Sequence, residues 1–186
     1  MKKIFSAMIF SVLVGIAATL IVPNHAVAAS AAELNRDAEK ALKKLCAKSI
    51  KASALSEKAK AILVFPSIAK AGFIVGGQYG EGVLLREGKA VGYYNTVAAS
   101  YGLQAGVQKY GYALFFMTDA AVKYLDKSDG FELGTAPNIV IVDEGAGGSL
   151  STTTAQSDMF AFFFSQKGLM AGIGLQGTKI TKINKL

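Results

Sequence analysis

The order of apolar and polar positions divides the chain into three parts. An apolar run covers residues 4–22, directly after Lys2 and Lys3. Residues 30–51 repeat with a period close to 3.6, which is typical of an amphipathic helix. From residue 61 onward, short runs of β-branched and aromatic residues are separated by turn-forming residues, which is typical of strands. The pattern therefore predicts a leader, a helical segment and a β-rich body.

The leader has the features of a secretory signal peptide. After the basic start and the apolar core come Pro23 and the small residues Ala26 and Ala28, which predict cleavage after Ala28. An uncleaved membrane anchor is the alternative, because the apolar run is long enough for one. No cysteine lies near the site, so a lipoprotein signal is excluded. We expect an exported protein that is periplasmic or peripheral on the cell-envelope membrane.

The amphipathic segment begins with a capping box, because Ser30 is followed three residues later by Glu33. At about 100° per residue, apolar and basic side chains occupy separate arcs. The apolar arc holds Leu34, Ala38, Ala41, Leu42, Leu45 and Cys46, and the basic arc holds Arg36, Lys40, Lys43, Lys44 and Lys51, with Lys48 at its edge. A second short helix is predicted over residues 54–60. A buried strand follows over residues 61–65, and we expect it to end at Pro66.

Charge and glycine are distributed unequally between the helical segment and the body. Residues 29–70 carry a net charge of +5, whereas residues 71–186 carry none. Glycine is absent from residues 29–71 and frequent afterwards. A positive charge confined to one helical segment points to an anionic surface as partner. Aromatic residues do not interleave with the basic cluster and the chain is expected to be exported, so nucleic acid is not an expected partner.

The predicted domain organisation follows from these differences. Residues 1–28 form the signal peptide, residues 29–62 a basic amphipathic helical segment, and residues 63–186 a body rich in glycine and aromatic residues. The last two form one domain. The predicted fold class is α+β, with a strongly coiled antiparallel sheet or barrel-like body, N-terminal amphipathic helices and one short internal helix over residues 119–125.

Four glycines within residues 76–82 raise the question of a phosphate-binding loop. A dinucleotide fingerprint needs a helix after the glycines, but residues 83–85 are Val-Leu-Leu and lead into a turn. The Gly-Lys-Ser/Thr sequence of a P-loop is also absent. Glycines inside strands allow bulges, coiling and close backbone approach. We therefore interpret them as structural.

Few residues of the chain suit catalysis. The single histidine, His25, leaves with the leader, and the single cysteine cannot form an internal disulfide. Ser67 and Lys70 match a Ser-x-x-Lys nucleophile motif, but the companion motifs are missing, and we interpret Ser67 as a cap. Asp143 and Glu144 are adjacent, so in a strand they would face opposite sides. We expect no enzyme activity, no metal and no cofactor.

Four blocks of sequence, residues 59–85, 92–121, 143–150 and 164–183, resemble the successive blocks of the SYLF domain. The resemblance covers about residues 40–183 and is to a bacterial lipid-binding member of this family. It implies binding of phosphoinositides and other anionic lipids, in part through a basic amphipathic helix, and some members bind actin. Because export would separate the protein from actin, only lipid binding is carried over. Some bacterial relatives are lipoproteins, and this chain lacks their lipidation cysteine.

The two arguments together define a candidate lipid-binding surface. The expected head-group contacts are Arg36, Lys40, Lys43, Lys44, Lys48 and Lys51, while Leu34, Leu42 and Leu45 either insert into the membrane or pack on the body. The expected partners are anionic membrane lipids. Two alternatives stay open. One is an envelope structural or protein-interaction module that uses Tyr93, Tyr94, Tyr101, Tyr110 and Tyr112, and the other is a carrier that holds a lipid inside a barrel.

Overall fold

The computed structural model describes residues 29–73, 75–101, 106–127, 131–132, 139–143, 157–167 and 178–185. The helices are α1 (Ala31–Lys48), α2 (Ile50–Ser56) and α3 (Asp119–Lys127). The strands are β1 (Ala61–Phe73), β2 (Val75–Arg86), β3 (Lys89–Tyr101), β4 (Gly106–Phe116), β5 (Phe131–Glu132), β6 (Ile139–Asp143), β7 (Met159–Lys167) and β8 (Thr178–Ile183). The predicted signal peptide and Glu144 lie outside the described residues.

The strands form one sheet in the order β5-β8-β3-β2-β1-β4-β7-β6. Neighbouring strands are antiparallel with one exception, the parallel pair of β6 and β7. The α+β class is confirmed. Within the described residues the sheet is open, with β5 and β6 at its two ends, so the prediction of a strongly coiled or barrel-like body is wrong.

The glycines of β2 explain why the coiling prediction failed. They lie inside a strand and leave room for neighbouring side chains instead of curling the sheet. A Cβ added at Gly82 would lie 2.6 Å from Phe65 Cδ1, and one added at Gly80 would lie 2.6 Å from Ile68 Cγ1. These glycines therefore serve close packing across the β1–β2 pair.

Each face of the sheet carries its own hydrophobic core. One face packs against α1 and α2 and includes Ile62, Val64, Val83, Leu85, Ala113, Phe115, Phe160, Phe162 and Phe164. The other face packs against α3 and includes Leu63, Phe65, Ile68, Tyr94, Tyr110, Tyr112, Leu114, Phe116 and Phe163. We call the first the helix-docking face and the second the α3 face.

The strand predicted to end at Pro66 continues to Phe73. Pro66 lies where the register of β1 shifts against both of its neighbours, between residues 64 and 67 on one side and between residues 65 and 68 on the other. A bulge tolerates proline because the extra residue makes no ladder hydrogen bond. Ser67 is consequently a strand residue and not a cap.

The helical segment is divided at Ser49, where a continuous basic arc was expected. Ser49 ends α1 and caps α2, with its hydroxyl accepting a hydrogen bond from the Ala52 N–H at 3.2 Å. The second helix therefore covers Ile50–Ser56 instead of residues 54–60. Lys51 belongs to α2, separate from the basic residues of α1.

Candidate functional site

Helix α1 begins at the predicted capping box. The Ser30 hydroxyl accepts from the Glu33 N–H at 3.2 Å, and Glu33 Oε2 accepts from the Ser30 N–H at 3.0 Å. The Ser30 backbone N–H, followed by its hydroxyl, holds the pKa of Glu33 below its ordinary value. Both orphan donors at the start of the helix are satisfied, which fixes the point where α1 meets the body.

The apolar side of α1 is packed on the helix-docking face. Leu34 and Leu45 are 4% and 1% exposed, and Ala38 is fully buried. Leu42 is half-buried and packs against the same core. The three leucines therefore pack on the body, and the alternative in which they insert into a membrane would require α1 to leave the sheet.

The basic side of α1 faces solvent. Arg36, Lys40, Lys43, Lys44 and Lys48 are all exposed. In α2, Lys51 is half-buried. Within the part of the chain that the structure describes, none of these six side chains forms an ion pair. We call the six together with Ile50 the basic surface, and its charges are available to an external anion.

Ile50 is a member of this surface that the sequence pattern missed. It is 89% exposed and stands between Lys48 and Lys51 at the junction of α1 and α2. A continuous helix would have given it no special position, but the break at Ser49 turns it outward. Serine is a preferred N-cap residue, so Ser49 was the available signal for this break.

Part of the helix-docking face stays uncovered beyond Pro66. Tyr79, Val97 and Val107 are 51%, 43% and 67% exposed, and Lys109 is also exposed. A groove of about 470 Å³ lies between this area and the start of α1. Its lining includes Ala29, Leu34, Asp37, Pro66, Ser67, Ala69, Tyr79, Gly80, Glu81 and Lys109. The groove is a second candidate site, of a size that suits a small ligand.

Two residues that line this groove, Ala29 and Glu81, are both contacted by Lys185. Lys185 Nζ lies 2.6 Å from Glu81 Oε2 and donates to the Ala29 carbonyl oxygen at 2.7 Å. The Tyr79 hydroxyl donates to Glu81 Oε1 at 3.0 Å, and burial followed by this bond raises the Tyr79 pKa. The contact joins β2, the residue before the Ser30 N-cap of α1, and the segment after β8.

The tyrosines proposed for a protein interface are mostly interior. Tyr94, Tyr110 and Tyr112 are at most 3% exposed and belong to the core of the α3 face. Tyr93 is half-buried, and the side chain of Tyr101 lies outside the described residues. Burial raises the pKa of Tyr110 to about 12 and raises the pKa of Tyr112 as well. These side chains stabilise the core and offer little surface to a partner.

The described residues contain no group of three or more His, Cys, Asp or Glu side chains placed to hold a metal. Likewise, no described helix is both long and apolar enough to cross a membrane. Ser67 and Lys70 lie three positions apart in one strand, so they point to opposite faces of the sheet. Ser67 is exposed and Lys70 is buried, which separates the two groups of the Ser-x-x-Lys motif.

An α+β domain with a basic helix packed on an open sheet is the class that the fold and the site define. Residues 97–186 match the family described as Ysc84, Las17-binding protein actin regulator, which is the SYLF family. The match of the C-terminal part is consistent with a SYLF-domain protein, as the sequence resemblance predicted. The SYLF domain is linked in general to lipid binding and actin regulation. No curated protein matches the chain.

The family match begins within β3 and runs to the end of the chain. It does not include α1, α2, β1 or β2, although the sequence resemblance extended back to about residue 40. The basic surface thus stands outside the matched region, and its role is argued from its own geometry.

Proposed function

We propose that this protein is exported and binds anionic phospholipid head groups through the basic surface. The observation that supports the proposal is that the two sides of helix α1 have different environments. Its apolar side is occupied by the body, whereas its basic side chains face solvent without a described ion-pair partner. An anionic lipid surface would supply the counter-charge that the described residues of the protein do not.

Docking of α1 changes how such binding would work. An interfacial helix usually buries its apolar side between head groups. Here Leu34 and Leu45 are already buried, so the docked helix acts as a charged patch on a folded domain. Ile50 is the apolar group of this surface that can enter the head-group region, with Lys48 and Lys51 on either side to meet phosphates.

The lipid class that we propose is phosphoinositide-like. Lys40, Lys44 and Lys48 follow one another at intervals of four residues along α1, and such residues lie on the same side of a helix. Lys43 lies next to this row. A head group with more than one phosphate can contact several of these ammonium groups at once. Actin regulation belongs to the family description, and we do not propose it for an exported protein.

Vesicle co-sedimentation tests the proposal. Replacing Lys43 and Lys44 by Glu changes the local charge by four units, at about 1 kcal/mol for each charge near an anionic surface. We expect binding to anionic vesicles to weaken on the order of a thousandfold. Wild-type binding should fade between about 0.05 and 0.5 M salt. It should be weak on neutral phosphatidylcholine at any salt concentration.

The matched control reverses Lys179 and Lys182 on β8, which are exposed and carry the same charges. We expect it to affect binding much less. Ile50→Gln should weaken binding several-fold without changing the melting temperature, whereas Val91→Gln, at an exposed valine of β3, should leave binding unchanged. A Lys43/Lys44 double reversal that binds anionic vesicles as wild type does at low salt would show that α1 serves packing only.

Export has its own test. We expect the intact mass of the protein from an envelope fraction to correspond to a chain that begins at Ala29. A species that retains residues 1–28 would indicate an anchored protein instead. Loss of export would leave the lipid-binding measurement valid, so the two parts of the proposal stand or fall separately.

A protein-interaction module is the second candidate, supported by the uncovered part of the helix-docking face. The exposed side chains of Tyr79, Val97 and Val107 would be its contacts, in place of the buried tyrosines. A complex that survives detergent would support this candidate. A lipid carrier of the barrel type has no support, because the described sheet is open.

We propose no catalytic role for Ser67. Its lysine partner lies on the opposite face of the sheet, so Ser67→Ala should leave lipid binding intact. Labelling of Ser67 by a fluorophosphonate or a β-lactam probe would contradict this.

A further inference from the structure

The uncovered part of the helix-docking face is a continuous apolar patch. Two neighbouring rows of residues cross β3, β2, β1 and β4 there, and all of these residues are exposed. In register, the first row is Val97, Tyr79, Ala69 and Lys109, and the second is Ala99, Gly77, Ala71 and Val107. We call these eight residues the open patch. Because Lys109 is its one charged residue, the patch is of the contiguous apolar kind that marks an interaction site.

Helix α1 shows how this face of the sheet binds a helix. It crosses the strands, since Leu34 lies beside Tyr79 of β2 at the groove and Leu45 lies beside Phe164 of β7. An α-helix with its side chains is about 10 Å thick, so the open patch lies one helix layer below the outer side of α1. The groove of about 470 Å³ is the corner of this step, lined by α1 on one side and by β1, β2 and β4 on the other. A second helix beside α1 would complete the layer.

Charge is unbalanced at the β4 end of the open patch. Lys109 is exposed and is paired in register with Lys167 of β7. Like charges directly opposite each other on neighbouring strands are destabilising. Among the residues that the structure describes, Lys109 has no ion-pair partner. At the other end, Lys179 of β8 is opposite Glu132 of β5, so a counter-charge is needed at the β4 end only.

We propose that the open patch binds an amphipathic helix of another protein, with its apolar side on the patch and acidic residues over Lys109. The patch is about 14 Å wide across its four strands, which about three turns of helix cover. Asp37 lines the groove from the α1 side, so the acidic residues of the partner belong at the β4 end. Apolar contacts in such a groove give the affinity, and the charges give the orientation.

Other occupants fit the open patch less well. The leader, residues 1–28, carries Lys2 and Lys3 but no acidic residue. In a second copy of the chain, α1 and α3 already bury their apolar sides in their own cores. A flat membrane that meets the basic surface is kept away from the patch by the thickness of α1. The inference rests on the protein-interaction candidate, to which it assigns a partner chemistry, and it is independent of lipid binding.

The test measures binding of two stapled helical peptides of about 14 residues by fluorescence anisotropy. Both peptides carry the same leucines along one side, and they differ only at one end, which holds glutamates in one peptide and lysines in the other. We expect the purified wild-type protein to bind the acidic-ended peptide at least tenfold more tightly than the basic-ended peptide. This preference should decrease between about 0.05 and 0.5 M salt, because salt screens the contact with Lys109.

Variants separate the open patch from the basic surface. Val107→Glu should weaken binding of the acidic-ended peptide at least tenfold, and Lys109→Glu should reverse the preference in favour of the basic-ended peptide. The matched control is Ile141→Glu, at a β6 residue that is 53% exposed and opposite Ala161 of the α3 face. At about 0.15 M salt, this control and the Lys43/Lys44 double reversal should bind both peptides within threefold of wild type.

Several results would overturn the proposal. Equal binding of the two peptides by the wild-type protein, or no binding, would remove an acidic-ended helix as the occupant. Binding that is lost in the Lys43/Lys44 reversal but kept in Val107→Glu would place the peptide on the basic surface. A dimer that Val107→Glu dissociates would identify a second copy as the occupant. Loss of peptide binding in the full-length chain but not in the chain from Ala29 would identify the leader.

Vesicle binding by the same variants distinguishes this site from the lipid site. Val107→Glu should bind anionic vesicles as wild type does while it loses the acidic-ended peptide. A matching loss of vesicle binding in Val107→Glu would instead make a membrane the occupant of the open patch. If wild type binds vesicles but neither peptide, the inference fails and the proposed lipid binding stands.

Discussion

The two halves of β1, before and after Pro66, show one sheet in two environments. Residues 61–65 are buried throughout, because α1 and α2 cover one face and the core beside α3 covers the other. After Pro66 burial alternates, so that Ile68 and Lys70 are interior while Ser67 and Ala69 are exposed. The helices thus cover only part of the sheet. Stability should reside in the first half and ligand-accessible surface in the second.

The largest difference in the loss of unfolding free energy is expected between alanine substitutions at Phe115 and at Val107. Both residues lie on the same face of β4. Phe115 is fully buried, with its ring centroid 5.0 Å from that of Phe162, whereas Val107 is 67% exposed. Phe115→Ala should lower the free energy of unfolding by about 3–5 kcal/mol. Val107→Ala should lower it by less than about 0.5 kcal/mol. Urea unfolding measures both, and similar losses would remove the distinction between the halves.

Two glycines of β2 extend the comparison between the covered and the uncovered area, because a side chain has room at one of them and not at the other. A Cβ at Gly82 would lie 2.7 Å from the Val64 carbonyl oxygen, but the nearest atom to a Cβ at Gly77 is the Ala98 carbonyl oxygen at 3.9 Å. Gly82→Ala should therefore destabilise the protein by about 1–3 kcal/mol. Gly77→Ala should be neutral or stabilise it by about 0.5 kcal/mol. Equal melting temperatures of the two variants would argue against close packing at Gly82.

The Lys185–Glu81 contact lies where the covered and the uncovered areas meet. Glu81→Gln leaves the buried Lys185 ammonium group without its counter-charge, so we expect a loss of about 1–3 kcal/mol of unfolding free energy. Hydrogen exchange near Ala29 should also accelerate. Asn95 stands opposite Glu81 on β3 without an ionic role, and Asn95→Asp serves as a comparison. Unchanged exchange at the start of α1 in Glu81→Gln would show that the contact does not hold the helix.

Buried and exposed tyrosines should differ in their effect on stability at high pH, and near neutral pH this difference is absent. The pKa of Tyr110 is raised to about 12 from an ordinary value of about 10, because burial disfavours the phenolate. Its stabilising contribution is complete below pH 10 and is lost as the pH rises from about 10 to 12, at up to about 1.4 kcal/mol per pH unit. Tyr110→Phe should flatten this loss. Tyr79→Phe should flatten it less, because the Tyr79 side chain is half exposed and solvent weakens the effect of its raised pKa; a reversed order in alkaline unfolding would contradict the assignment.

The helices α1 and α3 were predicted from residues close together in sequence. The start of α1 follows from Ser30 and Glu33, and its docked side follows from the spacing of Leu34, Ala38 and Leu45. Helix α3 was predicted from its apolar spacing, and the Thr118 hydroxyl does accept from the Ala121 N–H at 3.2 Å. In each case the residues that decide the structure lie within one helix and its N-cap.

The predictions that failed concerned features that depend on residues far apart in sequence. The path of β1 through Pro66 depends on strands that supply matching register shifts on both sides. Whether a sheet closes depends on which strands lie at its ends, and β5 and β6 are far apart in the strand order. The placement of buried Lys70 between Gln78 and Gln108 likewise depends on the register of β1 with β2 and β4. The exposure of Ile50 could have been anticipated from Ser49, whose capping role was overlooked.

The strand order also has a consequence for the time course of folding. β1, β2 and β3 form a meander of neighbours in sequence, which can assemble early because its contacts are local. The pairing of β3 with β8 joins residue 98 to residue 178, so this side of the sheet waits until the last part of the chain is synthesised. The meander can therefore form before the sheet is complete, and the addition of β8 beside β3 is left to a late step of folding.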